Sequence, residues 1–425
     1  MRLVYSLFTY LLAPLLPLYL LKRGKKNPAY LRNWNERFGI KLENSSSKPI
    51  IWLHSVSVGE TRAMQKLVEL ISNELSNYQI LITTMTPTGR QTAQTLYPQA
   101  IVHYIPYDIS FCVKSFYKNF KPKIGIIMET EIWPNLIHFA ERSKTSLYLV
   151  NARLSNRSFR GYNRFKLALL PILNKFNGIL CQDANTENNF LKLGYNQNLQ
   201  TVGNTKFDLV FNDSNNIKIK ELEQLVDGRK FITFASTRNG EEEILLNNID
   251  LNQNVIYLFI PRHPERFIEL ENLLIRNNIA YCKRSDNRRI TSDCKVIIGD
   301  SMGEMLAYYA ISYFVIIGGS FKGFGGQNPI EAIYMNKPVI FGKSMFNFSD
   351  VAKNSVDIGC AIQIDSPSEL KKLVNNLIED DDKYNALKRH CSEFIDKYCG
   401  ASEKIFNIIF KNVSCETSDK VCNNI

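Results

Sequence analysis

Short apolar runs alternate with amphipathic stretches along most of the chain, and they fall into two series. The first series predicts strands at residues 50–53, 80–83, 124–128, 147–150 and 179–181. The second predicts strands at residues 231–235, 255–260, 296–298, 313–317 and 339–341. After Glu60, a helix is indicated by apolar residues at helical spacing, namely Met64, Leu67, Val68, Ile71 and Leu75. This alternation is typical of parallel sheets, so the pattern predicts an α/β fold with two domains.

A polar stretch at residues 212–216 marks the expected boundary between the domains. We therefore place an N-terminal domain at residues 23–210, a C-terminal domain at 211–412 and a polar tail at 413–425. Within the C-terminal domain, the Ser-Pro-Ser-Glu sequence at residues 366–369 has the signature of a helix start.

The first 22 residues are expected to form a membrane anchor. Residues 3–21 carry no charge, and a helix of that length reaches roughly 28 Å, close to the hydrocarbon thickness of a bilayer. Residues 22–41 then contain seven basic residues and one acid, which places this flank and the following domains on the cytoplasmic side. A helix lying in the membrane interface is the main alternative. A cleavable signal peptide fits less well, because the basic cluster follows the apolar stretch.

Net charge adds a preference for anionic partners. The formal charge is +11 and the pI is near 9.0, which favours nucleic acid, acidic lipid or phosphorylated substrates, although a generally basic surface explains it equally well. The nine cysteines and five histidines show no zinc-binding spacing, and no phosphate-binding P-loop is present. Reduced thiols, no structural zinc and no ATP-driven chemistry are therefore expected.

Candidate chemistry in the N-terminal half lies where predicted strands end, which is where α/β sheets bind ligands. Glu60 opens a helix after the first strand, and Glu129 and Glu131 directly follow the strand at residues 124–128. An acid in the first turn of a helix also interacts favourably with the helix dipole. Acids after a strand are commonly surface turn residues. Position alone leaves these alternatives open.

The C-terminal half offers candidates of the same kind. Arg262 follows a predicted strand and is held between Pro261 and His263, which suits a phosphate ligand. The segment 301–304 opens a helix whose backbone N–H groups suit a nucleotide. Residues 328–331 form either a helix cap or a ligand site. We favour the ligand site, because the glycines just before them permit close approach to the backbone, namely Gly318, Gly319, Gly323, Gly325 and Gly326.

Seven stretches together resemble the Kdo (3-deoxy-D-manno-octulosonic acid) transferases of glycosyltransferase family 30, namely residues 53–60, 83–89, 128–135, 151–155, 206–208, 261–266 and 328–331. Enzymes of that family attach Kdo from CMP-Kdo to the lipid A precursor. The resemblance implies the GT-B architecture, in which two Rossmann-like domains face each other across a cleft. It also implies inverting transfer to a hydroxyl of the precursor, lipid IVA, in lipopolysaccharide core biosynthesis at the cell inner membrane.

The resemblance assigns roles to individual residues. Glu60 corresponds to the proton acceptor, whereas Glu129 and Lys206 correspond to groups that stabilise the transition state. Asn328 and Glu331 correspond to nucleotide contacts, and the neighbouring Gln327 is often His in the family. The full set of expected substrate-binding residues is Pro261, Arg262, Met302, Gly303, Glu304, Asn328, Pro329, Ile330 and Glu331.

No metal and no cofactor are expected, because CMP lacks the diphosphate that commonly requires a metal clamp. The expected partners are CMP-Kdo, the lipid A precursor and the inner membrane, without nucleic acid. Two alternatives remain from the sequence: a GT-B transferase that uses a UDP-sugar and another lipid acceptor, and a non-catalytic, membrane-tethered protein that binds anionic lipid or RNA.

Overall fold

The computed structural model describes residues 2–210, 213–225 and 228–411. The chain divides into two compact units, and each contains a parallel sheet of seven strands within the described residues. The first unit comprises Met1–Val210 together with Cys399–Ile425, and the second comprises Phe211–Tyr398. The prediction of two α/β domains is confirmed.

The sheet of the first unit has the strand order β3-β2-β1-β4-β5-β6-β7. Its strands are β1 (Ile50–Ser55), β2 (Gln79–Thr84), β3 (Ile101–Tyr104), β4 (Ile124–Met128), β5 (Ser146–Ala152), β6 (Gly178–Cys181) and β7 (Leu199–Thr201). The chain runs outward from β1 to β3 and then returns to the other side of β1, so the topological switch point lies between β1 and β4. Ligands bind at such points, beyond the carboxyl ends of the strands.

Helices cover both faces of this sheet. The α-helices of this part of the chain are α1 (Arg2–Leu12), α2 (Leu15–Lys26), α3 (Trp34–Arg37), α4 (Val58–Ala63), α5 (Gln65–Glu74), α6 (Pro87–Leu96), α7 (Ser110–Phe120), α8 (Pro134–Arg142), α9 (Asn156–Arg164), α10 (Lys166–Leu173) and α11 (Ala184–Lys192). Two 3-10 turns, Pro28–Leu31 and Thr205–Phe207, complete the described elements before the second unit. Strands covered on both faces are apolar at successive positions. Accordingly, Trp52 and Leu53 are fully buried and belong to separate core clusters.

The second unit repeats this architecture with the strand order β10-β11-β9-β8-β12-β13-β14. Its strands are β8 (Lys230–Thr237), β9 (Val255–Pro261), β10 (Tyr281–Lys283), β11 (Val296–Ile298), β12 (Ser312–Ile317), β13 (Val339–Phe341) and β14 (Ala361–Gln363). Its α-helices are α12 (Asp213–Leu225), α13 (Glu241–Leu246), α14 (Phe267–Arg276), α15 (Met305–Ile311), α16 (Ile330–Tyr334), α17 (Ser349–Ile358), α18 (Leu370–Glu379) and α19 (Asp381–Tyr398). Its 3-10 turns are Pro264–Arg266, Arg284–Asp286, Phe346–Phe348 and Pro367–Glu369. The switch point lies between β8 and β12.

Helix α20 (Ala401–Phe410) belongs to the first unit, although the sequence prediction assigned residues up to 412 to the second domain. Ile405 and Ile409 join the core cluster on one face of the first sheet. Asp208 accepts hydrogen bonds from the backbone N–H groups of Gly400 (2.7 Å) and Ser402 (2.6 Å), which stabilises the start of the helix. Apolar burial and this cap explain why the last helix packs on the N-terminal unit. The predicted tail, residues 413–425, lies outside the described residues.

Two local predictions have different outcomes. The two units divide between Val210 and Phe211, next to the predicted boundary. Residue 212 lies outside the described residues, and residues 213–216 belong to helix α12 instead of an irregular linker. The predicted helix start at residues 366–369 is confirmed, because Ser366 and Glu369 form a reciprocal capping box.

The N-terminal apolar stretch forms two helices instead of one. Helices α1 and α2 meet at an angle of 55°, and among the described residues no single helix has the length and apolar character to cross a membrane, although this bent pair has them in combination. Pro14 explains the break, because it cannot donate a backbone hydrogen bond and its ring clashes with the preceding turn. The prediction of a single continuous anchor helix is therefore wrong.

Candidate functional site

Glu60 lies in the first turn of α4, directly after β1 at the switch point of the first unit. Its carboxylate accepts hydrogen bonds from the Val56 backbone N–H (2.7 Å) and the Ser57 hydroxyl (2.8 Å), and Ser57 in turn accepts the Glu60 N–H (3.3 Å). These bonds form a helix cap, whereas the structural alternative for Glu60 was an interaction with the helix dipole. A carboxylate has about four acceptor positions, so this cap leaves acceptor capacity for a substrate proton.

The environment of Glu60 raises its pKa. Only 9% of the residue is exposed, and this burial is the largest cause of the higher pKa, while the hydrogen bonds from Val56 and Ser57 oppose it. The charge of Glu129 raises the pKa further and that of Lys206 lowers it. All three candidate catalytic groups are therefore within electrostatic reach of one another. A carboxylate whose pKa is raised toward the working pH suits a general base.

Lys206 and Glu129 form an ion pair next to Glu60. The Lys206 ammonium group donates a hydrogen bond of 2.7 Å to the Glu129 carboxylate. Lys206 lies on the 3-10 turn after β7, and the neighbouring Thr205 N–H binds the side-chain oxygen of Asn151 at the end of β5 (3.1 Å). Glu129 and Asn151 both have left-handed backbone conformations, with φ of 58° and 50°. Such conformations are uncommon outside glycine and cluster at functional sites.

A third carboxylate belongs to the same edge of the sheet. Glu131 accepts a hydrogen bond of 2.5 Å from the Trp133 indole N–H. Burial raises the pKa of Glu131, and the charges of Glu60 and Glu129 add to the effect. His54 is fully buried, and burial lowers its pKa to about 4, so it is neutral at physiological pH. This edge of the first sheet thus carries three acids and one lysine. The excess of carboxylates favours acceptance of a proton and stabilises positive charge that develops on a substrate.

Glu241 occupies the switch point of the second unit. It is fully buried, and its carboxylate accepts backbone N–H groups from Gly319 (2.6 Å), Phe321 (3.0 Å) and Arg238 (2.8 Å). One acid therefore ties the loop after β12 to the loop after β8. The N–H groups of Gly319 and Phe321 already have this partner, which argues against a phosphate bound at the same place.

The glycines of this loop are needed mainly for the packing of the chain itself. A Cβ on Gly318 would lie 2.6 Å from the Ser236 carbonyl oxygen, and one on Gly326 would lie 2.2 Å from the Met345 sulfur. Gly325 is similarly crowded by Phe346, whereas the space around Gly323 is open. The hypothesis that these glycines admit a ligand fits the geometry best at Gly323, followed by Gly319, where a Cβ would lie 3.2 Å from the Gln327 side chain.

Comparisons with known proteins decide the family. Residues 32–209 match the family described as 3-deoxy-D-manno-octulosonic-acid transferase (kdotransferase), and residues 277–393 match glycosyl transferases group 1. A 3-deoxy-D-manno-octulosonic acid transferase of Haemophilus influenzae is 32% identical over 417 residues, which cover 96% of this chain and 98% of that protein. The chain belongs to the 3-deoxy-D-manno-octulosonic acid transferase family. It is therefore a glycosyltransferase.

Two further comparisons agree with the family and the fold. A 3-deoxy-D-manno-octulosonic acid transferase of Rickettsia bellii is 33% identical over 385 residues, covering 89% of this chain and 91% of that protein. The crystal structure of UDP-GlcNAc 2-epimerase from Neisseria meningitidis has a TM-score of 0.55 at 14% identity, covering 86% of this chain and all of that one. At this identity the likeness concerns the fold alone.

The predicted nucleotide contacts of this transferase lie beyond β12, at the start of α16. Asn328 accepts the Ile330 N–H (3.1 Å), and its side-chain amide donates to the Glu331 carboxylate (3.4 Å). Helix α16 begins at Ile330, so the bond from the Ile330 N–H to the Asn328 side chain caps its first turn. The structural alternative therefore accounts for Asn328, whereas the Glu331 carboxylate can also serve a ligand. The Ile330 side chain is buried, so that residue can offer only main-chain groups to a ligand.

The charges of Arg262 and Glu331 both affect one buried residue, Tyr309. Arg262 follows Pro261 at the end of β9, its side chain is exposed, and its backbone N–H binds the Thr237 carbonyl at the end of β8 (3.0 Å). Tyr309 is fully buried, and burial raises its pKa, with Glu331 raising it further and Arg262 opposing. The charges of both predicted ligand contacts thus reach the same tyrosine.

The segment at residues 301–304 is arranged differently from the expectation. Glu304 is largely buried and pairs with Arg284 (3.1 Å), while the Gly303 carbonyl accepts a hydrogen bond from Lys218 (3.0 Å). Met302 is 68% exposed. The Glu304 carboxylate already has a cationic partner. In this segment, the groups available to bind substrate are therefore main-chain groups of Met302 and Gly303.

Sequence reasoning missed several residues that shape these sites. Ser57 is one of them, although Ser57 and the predicted Glu60 match the S-x-x-E pattern of a helix cap. Glu241 and Glu242 stand in a run of three acids after Gly240, and Glu242 pairs with Arg266 (2.7 Å). Across the described residues, no group of three or more His, Cys, Asp or Glu side chains is placed to hold a metal ion.

Proposed function

We propose that this enzyme transfers Kdo from CMP-Kdo to a hydroxyl group of the lipid A precursor, lipid IVA, with inversion at the anomeric carbon. The observation that carries the proposal is the grouping of Glu60, Glu129 and Lys206 at the switch point of the first unit. The names of the relatives from Haemophilus influenzae and Rickettsia bellii support the choice of sugar.

The reaction is a single displacement. The acceptor hydroxyl oxygen attacks the anomeric carbon of Kdo, and Glu60 takes the hydroxyl proton. The bond from that carbon to the CMP phosphate breaks, and CMP leaves with the bonding electrons. As this bond breaks, positive charge develops on the sugar ring, and the Glu129 carboxylate stabilises it. Lys206 holds Glu129 in position and offers a cation to the departing phosphate.

The nucleotide is assigned to the second unit. Arg262 is exposed at the end of β9 and can donate two parallel hydrogen bonds to a phosphate. The carboxylate of Glu331, which already accepts from Asn328, suits the hydroxyl groups of a ribose. The neighbouring Tyr309 brings both residues into one electrostatic environment.

The acceptor implies a location at the cytoplasmic face of the inner membrane. The precursor is an amphiphile with phosphate groups. Lys22, Arg23, Lys25 and Lys26 are all exposed at the end of α2. Cations at this position attract an anionic membrane surface and keep the first unit near the headgroups.

Purified full-length enzyme, incubated with CMP-Kdo and tetraacylated lipid A precursor in mixed micelles, tests the proposal. We expect a Kdo-modified lipid by mass spectrometry and release of CMP. UDP-sugars offered in place of CMP-Kdo should give no product. Transfer from a UDP-sugar alone would identify a different GT-B transferase, and binding of anionic lipid or RNA without any transfer would contradict an enzymatic role.

A further inference from the structure

The buried and exposed faces of α1 are the reverse of those in a helix that faces water. Its most buried side chain is Ser6, with 7% exposure, whereas Leu3 is 74% exposed, Leu7 63% and Leu11 69%. Helices on the surface of soluble domains place apolar residues inward and polar residues outward. The apolar face of α1 is therefore suited to a surrounding that is itself apolar.

Buried hydrogen bonds attach the polar face of α1 to the first unit. The Ser6 hydroxyl donates to the Asn135 side-chain oxygen (2.7 Å) and accepts from Ser110 (3.1 Å). Tyr5 lies within electrostatic range of Asp108, whose carboxylate accepts the backbone N–H groups of Asn135 (3.0 Å) and Leu136 (2.7 Å) at the start of α8. We refer to these residues, Tyr5, Ser6, Asp108, Ser110 and Asn135, as the polar latch.

The polar latch opposes separation of α1 from the catalytic unit. Asp108 is 8% exposed and Asn135 is fully buried. Pulling α1 away into the hydrocarbon of a membrane would take the Ser6 hydroxyl from its partners, and polar groups without partners are costly in an apolar medium. The latched position is thus the favourable one in a bilayer as well as in water.

Helix α2 continues the exposed apolar surface and ends in cations. Leu15 is 55% exposed, Leu18 62% and Leu21 50%, while Leu20 is buried against the unit. The buried side of α2 also packs closely at Gly24, where a Cβ would lie 2.4 Å from the Leu31 side chain. The four exposed cations of residues 22–26 follow directly. An apolar face bordered by cations matches one leaflet of an anionic bilayer.

We propose that α1 and α2 insert into one leaflet of an anionic membrane while α1 stays latched to the first unit, so that the chain does not cross the bilayer. The inference goes beyond the proposed function and rests only on its membrane location. In this arrangement the exposed leucines of α1 and α2 contact lipid, and both ends of the chain lie on the same side of the membrane.

Protease protection of the full-length chain tests this arrangement. Epitope tags are placed before Met1 and after Ile425, and the protein is expressed in a Gram-negative host. We expect both tags to resist protease on intact spheroplasts and both to be digested on inverted inner-membrane vesicles.

Digestion of the N-terminal tag alone on intact spheroplasts would show a spanning segment and overturn the proposal. Recovery of the chain in the soluble fraction would also overturn the proposal, because the exposed leucines of α1 and α2 would then be covered by protein instead of lipid. The assay involves no sugar transfer, so its failure is distinguishable from failure of the proposed function.

A matched pair of variants tests the leucine face itself. The double substitution Leu7→Gln and Leu11→Gln should weaken binding to vesicles of phosphatidylethanolamine and phosphatidylglycerol by at least about tenfold for each leucine. The control carries Ile268→Gln and Ile275→Gln, which remove comparably exposed side chains (67% and 55%) from α14. We expect the control to bind as the wild type does. Equal binding by the two double variants would overturn the proposal.

Discussion

Lys206 donates a 2.7 Å hydrogen bond to Glu129, a residue 77 positions earlier in the chain. The pair exists because β4 and β7 both end at the same edge of the first sheet, which also carries Glu60. The two charges act on Glu60 with opposite signs. The pKa of the proposed base therefore depends on both charges, in opposite directions.

The opposite effects on Glu60 predict opposite shifts of the pH profile. Burial is the main cause of the raised pKa of Glu60, and Glu129 raises it further whereas Lys206 lowers it. A base must be ionised to work, so activity is lost as the pH falls through this pKa. Glu129→Gln should move the acidic limb of kcat/KM to lower pH, and Lys206→Met should move it to higher pH. The profiles are compared relative to their own plateaus, since both variants also lose turnover. Shifts in the same direction would contradict the proposed grouping.

Glu241→Gln should destabilise the second unit. The amide oxygen can keep the hydrogen bonds from Gly319 and Arg238, but the amide nitrogen then faces the Phe321 N–H. Loss of one hydrogen bond to a buried charged group costs about 1.5–3 kcal/mol, which a thermal melt would detect as a lower Tm. Glu243→Gln is the control, since Glu243 is exposed on the same helix and should leave the Tm unchanged. A Tm drop in the control as large as that of Glu241→Gln would argue against this role.

Glu331→Gln separates ligand binding from helix capping. If Glu331 binds ribose hydroxyls, the loss of a charged acceptor should weaken CMP binding by roughly tenfold or more. The substitution leaves the Asn328 side chain, which caps the Ile330 N–H at the start of α16, so the change in thermal stability should be small. Calorimetric titration with CMP gives the affinity, and a thermal melt of the same sample gives the Tm. A large loss of stability with unchanged CMP affinity would return the motif to a structural role.

Exchange of the four cations at the end of α2 for Gln should weaken membrane attachment without affecting the donor. Each cation near an anionic surface contributes about 1 kcal/mol, so vesicle binding at low salt should fall on the order of a thousandfold. The apparent KM for membrane-embedded acceptor should rise, and CMP-Kdo affinity should stay the same. The control exchanges four exposed lysines elsewhere on the first unit, namely Lys118, Lys121, Lys123 and Lys144. Equal losses in both variants would indicate a general charge effect.

All ten strands predicted from the sequence exist, and the four that were missed, β3, β7, β10 and β14, lie at the edges of the two sheets. An edge strand has one neighbour and is less apolar. β7, for example, reads Leu-Gln-Thr and is largely exposed. Interior strands carry the continuous apolar runs that a sequence pattern detects.

The site was predictable only in part. Glu60 and Glu129 could be found as acids at strand ends, but the ion pair with Lys206 depends on strand order, which a single sequence does not show. Glu241 was missed because its partners are backbone N–H groups, which no side-chain pattern reveals. The packing of α20 on the first unit was also hidden, because the Asp208 cap lies 192 residues before Gly400.

Glu60→Gln in the Kdo transfer assay tests whether Glu60 is the catalytic base. The substitution keeps the shape of the side chain and removes its ability to accept a proton. Turnover with CMP-Kdo and lipid A precursor should fall by roughly 10²–10⁴-fold, while CMP affinity changes little. The exposed Glu74 in the next helix provides the matched control Glu74→Gln, which should remain fully active. Near-normal turnover of the Glu60→Gln enzyme would contradict the account.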